Sequence, residues 1–125
     1  MLLSNLIKNA ALESPYASKL DNEYIESLIE SFTSDPSKCL YYNDYGFIAG
    51  MVTSGHILLP DTLIALEVAW YVLPEERNKM VGGRLYKQFE EWAKSKEIKA
   101  IFVGKPIKDS ILVQPGYMKW VSRHS

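Results

Sequence analysis

Apolar residues recur along this chain with two alternating periods, and each change of period marks an element. Leu2, Leu3, Leu6, Ile7, Ala10 and Ala11 form the stripe of an amphipathic helix reaching Leu12. Ser14-Pro15-Tyr16 ends it, because proline pushes the residue before it out of the helical region. A second helix is predicted from about Asp21 to Phe32, capped by Asp21 or Asn22, with Ile25, Leu28, Ile29 and Phe32 as its buried face. Ser34-Asp35-Pro36-Ser37 stops it. The period then shortens to that of strands. Cys39 to Asn43 is a short aromatic strand, Asn43-Asp44 the turn, and Tyr45 to Thr53 the returning hairpin partner. Gly50 predicts close packing or a bend within it.

His56 to Asp61 reads as a loop. Leu63 to Leu73 is an almost continuous apolar run interrupted by Glu67, the pattern of a central strand covered on both faces. Pro74-Glu75-Glu76-Arg77 breaks that strand. Val81, Leu85, Phe89, Trp92 and Ala93 then mark a long amphipathic helix ending near Ser95. Ile98 to Val103 is a buried strand, Asp109 to Val113 a helical turn, Pro115-Gly116 a break, and Tyr117 to Val121 a last short strand. This order predicts a mixed α/β fold in one domain spanning residues 1–125.

Composition narrows the chemistry. Cys39 is the single cysteine, which excludes an internal disulfide and a cysteine-based zinc cluster. His56 and His124 stand far apart with no ligand spacing around them, so no catalytic metal is expected. No apolar run approaches the roughly 20 residues that span a bilayer, and a cytoplasmic setting without membrane contact is the expectation. Residues 1–70 carry three lysines against nine acids, a balance of −6, and residues 71–125 carry eleven Lys/Arg against six acids, a balance of +5. A basic second half suits phosphate and an acidic first half suits a cationic acceptor, although two differently solvated surfaces of one fold explain the same counts. The near-neutral total gives nucleic-acid binding little support. Tyr41, Tyr42 and Tyr45 read as strand and turn residues, and Trp92 as core.

One stretch carries chemistry: Glu67-Val-Ala-Trp-Tyr-Val-Leu-Pro-Glu-Glu-Arg-Asn-Lys-Met-Val-Gly-Gly-Arg-Leu85. A buried strand enters a basic loop, and small residues then open a helix. First-turn amides of a helix lack intrahelical partners, and with the helix dipole they form an anion site. Gly82-Gly83 allows a phosphate to come close to the backbone, and Arg77 and Lys79 add positive charge. The alternative is a helix start with two glycines placed for packing.

The full run resembles the GNAT superfamily of N-acetyltransferases, whose motif is a strand ending in valine, then x-Pro, then Arg/Gln-x-x-Gly-x-Gly/Ala opening a long helix. Arg77, Asn78, Lys79, Met80, Val81 and Gly82 occupy those places. Glu13-Ser14-Pro15-Tyr16-Ala17, Phe47-Ile48-Ala49-Gly50, Phe89-Glu90-Glu91-Trp92-Ala93 and Pro115-Gly116-Tyr117 extend the likeness over roughly residues 6 to 120. The resemblance implies a central mixed sheet flanked by helices, shortened at both ends, and acetyl-CoA as cosubstrate. It implies that the backbone of Trp70, Tyr71 and Val72 pairs with the pantetheine arm, and that the amides from Asn78 through Lys79, Met80, Val81 and Gly82 to Gly83 hold the pyrophosphate. It further implies that the Val72 N–H faces the thioester oxygen and that Glu67 takes the proton of a primary amine on a small molecule or protein. For Glu67 the competing account is a strand-face carboxylate at the sheet surface or paired with a lysine.

Three departures from the motif stand out. Met80 replaces its first glycine. Leu112 stands where many members carry a tyrosine as general acid, and Tyr117 is a weak substitute on the following strand. The chain also begins without the usual opening strand and stops before the last one is complete, which leaves a sheet edge for a partner or a second copy. Those departures keep a second reading open: a binding module on a degraded transferase scaffold.

Overall fold

In the computed structural model, residues 2–13, 21–54, 61–77, 79–98, 100–106 and 113–120 are described, those from 104 onward as backbone alone. Helix α1 covers Leu2–Glu13 and α2 covers Asn22–Ser34. Asp21 caps α2: its Oδ1 accepts from the Tyr24 N–H at 2.7 Å, which satisfies one of the amides a helix start leaves open. Strands β1 (Lys38–Tyr42) and β2 (Gly46–Thr53) form the predicted hairpin. Asn43 closes its turn, with Oδ1 accepting from the N–H groups of Tyr45 and Gly46. β3 spans Ile64–Val72, and a 3₁₀ turn over Pro74–Glu76 leads to α3, Val81–Ser95. β4 (Ala100–Pro106) and β5 (Val113–Trp120) complete a five-stranded sheet in the order β1-β2-β3-β4-β5. Pairing is antiparallel except between β3 and β4. This is the mixed α/β architecture that the periodicity predicts.

Two apolar cores lie on opposite faces of the sheet. On one face Val81, Leu85, Phe89 and Ala93 of α3 pack against Ile48, Ala65, Val72 and Ile101. On the other, Leu3, Leu6 and Ile7 of α1 and Ile25 of α2 pack against Phe47 and Tyr71. Gly50 is where α3 comes closest: a Cβ there would lie 2.2 Å from Phe89 Cε1. The expected bend is present as well, since the β2–β3 register shifts between Ala49 and Gly50.

Some expectations need correction. The α2 face of Leu28, Ile29 and Phe32 is only half-buried, because it borders a cavity; Ile25 alone among the four is fully enclosed. β3 is covered incompletely, with Val68 46% and Trp70 39% exposed. Pro115-Gly116 does not break the chain but lies inside β5. Register there passes from Val103↔Tyr117 to Lys105↔Gln114, so the dipeptide faces Gly104 across a bulge, a position that tolerates a proline without a donor. The loop over 56–60 and the turn over 109–112 fall outside the described residues.

Candidate functional site

The site begins where two strands part. β3 pairs with β4 only at Ala65↔Ile101 and Leu66↔Phe102, although β3 continues to Val72 and β4 to Pro106. The cause lies in β3 itself. Its pairing with β2 runs Gly50↔Glu67 and then Ala49↔Ala69, so Val68 is an extra residue. A bulge of this kind bends a strand and sharpens its twist, and here it turns β3 away from β4. From Glu67 to Val72 the β3 edge therefore has no strand partner among the described residues.

Alternation decides which backbone groups face that opening. The Leu73 N–H bonds to the Tyr45 carbonyl at 2.8 Å, on the β2 side. Residues alternate across an antiparallel ladder, so the N–H groups of Val72 and Trp70 point the other way, into the wedge. Tyr71 turns its backbone toward β2 instead. Of the three residues expected to pair with an extended ligand, two present free-edge donors.

The open edge ends beside the N-terminus of α3. Amides of Val81, Gly82 and Gly83 have no acceptor among the described residues; Arg84 N–H is the first to bond back, to the Met80 carbonyl. A Cβ at Gly83 would meet no protein atom within 4 Å. One at Gly82 would touch Val72 Cγ2 at 3.5 Å and Trp70 Cζ2 at 3.6 Å, ordinary contacts. Packing against the described residues does not explain the glycine at 83, which is exposed in the first turn of α3. Met80 has φ 64°, the left-handed region that glycine enters most cheaply, and its side chain is 74% exposed, turned away from the fold. A glycine in the motif's first position thus has a conformational reason, which Met80 overrides at a cost. Asn78 lies outside the described residues.

The basic loop is less basic than its sequence suggests. Arg77 Nε donates to the Val72 carbonyl at 2.9 Å, Nη2 donates to Glu13 Oε1 at 2.8 Å, and the guanidinium lies 5.6 Å from the Tyr71 ring centroid. Lys79 Nζ is 2.9 Å from Glu76 Oε2, and that carboxylate raises the lysine's pKa. Both cations are already paired. Arg77 acts as a strut that ties the 3₁₀ turn to β3 and to the end of α1. Tyr71 Oη also donates to Glu13, at 2.6 Å. These two hydrogen bonds, the Tyr71 one foremost, hold Glu13 below the usual carboxylate range. Burial, then Glu13, raises the Tyr71 hydroxyl to about 12, so it stays protonated. Glu13, Trp70, Tyr71, Val72, Arg77 and Gly82 line an open cleft of about 420 Å³. In the sequence Glu13 stands out only as part of the family resemblance, and no local signal reveals an ion pair across 64 residues.

Glu67 is not in that cleft's lining. It sits at the wedge's vertex, the first β3 residue beyond the last β3–β4 pair. As the partner of Gly50 it shares the sheet face that looks onto Phe89. Burial alone raises its pKa to about 7, and among the described residues its carboxylate makes no hydrogen bond or ion pair. Cys39 is buried with its thiol pushed up to about 12, which removes it as a nucleophile. Tyr117 falls in β5 opposite Val103, and Leu112 is outside the described residues. Among the described residues no cluster of His, Cys, Asp or Glu suits a metal ion, and no helix is long and apolar enough to cross a membrane.

Comparison with known proteins agrees with this arrangement. AAC(6′)-Iy in complex with the bisubstrate analogue CoA-S-monomethyl-acetylneamine superposes with a TM-score of 0.70 at 14% identity, over 87% of this chain and 74% of that one. The acetyltransferase from Vibrio fischeri gives 0.54 at 21% identity, over 82% and 81%. An aminoglycoside 6′-N-acetyltransferase complexed with coenzyme A gives 0.57 at 18% identity, over 82% of this chain and 55% of that one. At such identities the likeness shows the fold. A search of curated protein sequences returns no match. The model of the acetyltransferase (GNAT) family matches residues 5–109, most of the chain. Together with the splayed β3–β4 pair and the open amides of α3, that match settles the family: this chain belongs to the GNAT acetyltransferases.

Proposed function

We propose that this chain is a single-domain N-acetyltransferase that moves acetyl from acetyl-CoA to a primary amine. The observation that carries the reading is the unpaired β3 edge running directly into the open amides of α3. Amides from 78 to 83 hold the diphosphate, with the helix dipole favouring its charge. Pantetheine then lies along β3 as an added strand, using the wedge-facing groups of Val72 and Trp70. Val72 is the last residue of β3 before the turn that leads to α3, so an arm leaving the diphosphate meets Val72 first and Trp70 second. The thioester oxygen therefore falls to the Trp70 N–H, one alternation further along than the Val72 N–H that the motif comparison suggests.

In the transfer the amine nitrogen bonds to the thioester carbon, the C–S bond breaks, and coenzyme A leaves as the thiolate. Glu67 takes the nitrogen's proton through one water in the vertex of the wedge. Its pKa of about 7 makes it a competent base near neutral pH. Gln at this position removes the base and keeps the shape.

Gly83→Glu tests the cofactor site. No described protein atom lies within 4 Å of where its Cβ would stand, and replacing glycine inside a helix with glutamate gains roughly 0.5–1 kcal/mol in propensity. The variant is expected to melt no lower than the wild type while losing at least ~10-fold in acetyl-CoA affinity by calorimetry, because a carboxylate then faces the diphosphate. Wild-type protein that gives no heat with high-micromolar acetyl-CoA would leave the scaffold reading in its place.

A further inference from the structure

Beside the cleft lies a second cavity, on the α1/α2 face of the sheet, of about 260 Å³. Ile7, Leu28, Phe32, Leu40, Phe47 and Val68 line it, with the remaining wall made of four alanines and Ile29. Every described residue in the lining is apolar. A bound molecule there finds no hydrogen-bond partner from those side chains, so each hydroxyl or ammonium it buries loses water without compensation.

The β3 bulge joins this cavity to the site. Val68 is the extra residue, and it lines the cavity together with its neighbour Ala69; Trp70, the next residue, lines the cleft. Val68 is 46% exposed, so the cavity is approached from this strand. Phe47 and Tyr71 are adjacent across strands, with ring centroids 6.2 Å apart, the first in the cavity and the second in the cleft. On α1, Ala10 and Ala11 belong to the cavity and Glu13 to the cleft. Glu13, two residues beyond Ala11 on α1, thus stands in the neighbouring cleft rather than in the chamber's wall, and its bonds to Tyr71 and Arg77 keep it ionised.

We infer that the acceptor is a primary amine on an alkyl or aryl body, with the body in the cavity and the amine toward Glu13 and the β3 bulge. This rests on the acetyl-transfer reading and specifies its substrate class. Polyhydroxylated aminoglycosides and linear polyamines are poor occupants, because among the described residues their polar groups meet only hydrocarbon. The charge balance of the first half suits a cationic acceptor, and the lining of the chamber narrows that to an amphipathic amine.

The test measures phenethylamine, hexylamine, spermidine and neamine as ligands by calorimetry and as acceptors by thiol release, with acetyl-CoA affinity measured separately. Phenethylamine or hexylamine is expected to bind and to show at least ~10-fold higher kcat/KM than spermidine or neamine. Ala49→Leu, in the cavity floor, and Ala10→Leu, in its α1 wall, fill the chamber from two sides, so one remains informative if the other fails to fold. Either is expected to raise KM for the apolar amines at least ~10-fold with acetyl-CoA affinity unchanged. Acetyl-CoA binding with no preference for apolar amines, or filled variants with unchanged KM and amine affinity, overturns this assignment alone. Absence of acetyl-CoA binding by the wild type overturns the transferase reading beneath it.

Discussion

Replacing Glu67 by Gln separates the carboxylate's chemistry from its cost to the fold. The group is half-buried at the vertex of the wedge, and burial lifts its pKa from 4.5 to about 7. A folded-state pKa above the unfolded one means that the native chain holds this proton more tightly. The stability so gained is complete below pH 4.5 and is lost as pH rises through 7. At about 1.36 kcal/mol per pH unit, the interval from 4.5 to about 7 corresponds to roughly 3 kcal/mol. Glu67 keeps some contact with solvent, and screening reduces that to about 1–2 kcal/mol. Gln has the same shape and no charge to desolvate. Relative to wild type, Glu67→Gln is therefore expected to gain about 1–2 kcal/mol at pH 8 and less at pH 5, measured by urea unfolding at both. The same variant should lose ~10²-fold or more in kcat/KM, and with it the wild-type rise of rate through about pH 7. A stability difference that does not grow between pH 5 and pH 8 would refute the burial argument. An unchanged rate would remove Glu67 as the base.

Met80→Gly should raise stability by about 0.5–1 kcal/mol. The left-handed backbone at φ 64° costs a side-chain-bearing residue roughly 1–2 kcal/mol, and glycine gives part of that back as unfolded-chain entropy. Glu97→Gly is the comparison away from the site. Glu97 has φ 61° in the turn that ends α3, where its own N–H reaches Lys94 and the Ile98 N–H reaches Ala93. Both variants should melt a few degrees higher, and their gains should add; a loss at either position would show that the side chain contributes more than the strain costs. Gly50→Ala should destabilise by about 2–3 kcal/mol, because the new methyl would overlap the Phe89 ring deep in the α3 core. An unfolding free energy by denaturant titration within ~0.5 kcal/mol of wild type would mean that Phe89 gives way easily.

Local periodicity was sufficient for most of the fold. The stripe from Val81 to Ala93 places α3 at its observed Val81–Ser95, because an amphipathic period of 3.6 has few competing structures. Asp21 as cap, the turn at Asn43 and the break at Pro74 follow from side chains that act on their own backbone within three residues. The motif run also located the strand, turn and helix start that make the cleft, since its glycines and proline constrain the chain where they stand.

Other features depend on residues far apart in sequence, and those only the packed fold decides. The bulge at Val68 arises from register against Ala49 and Gly50, and it both opens the wedge and turns Val68 and Ala69 onto one face. Arg77 reads as a phosphate ligand in the sequence, yet in the fold it is bound to Glu13 and to the Val72 carbonyl. Pro115-Gly116 reads as a break because its compensation, a bulge opposite Gly104, lies on another strand. A run of residues specifies its own dihedral preferences and which side is greasy. Which charges meet, which carboxylate is dehydrated and what a cavity will accept are set by distances between segments, and those exist only after the sheet has formed.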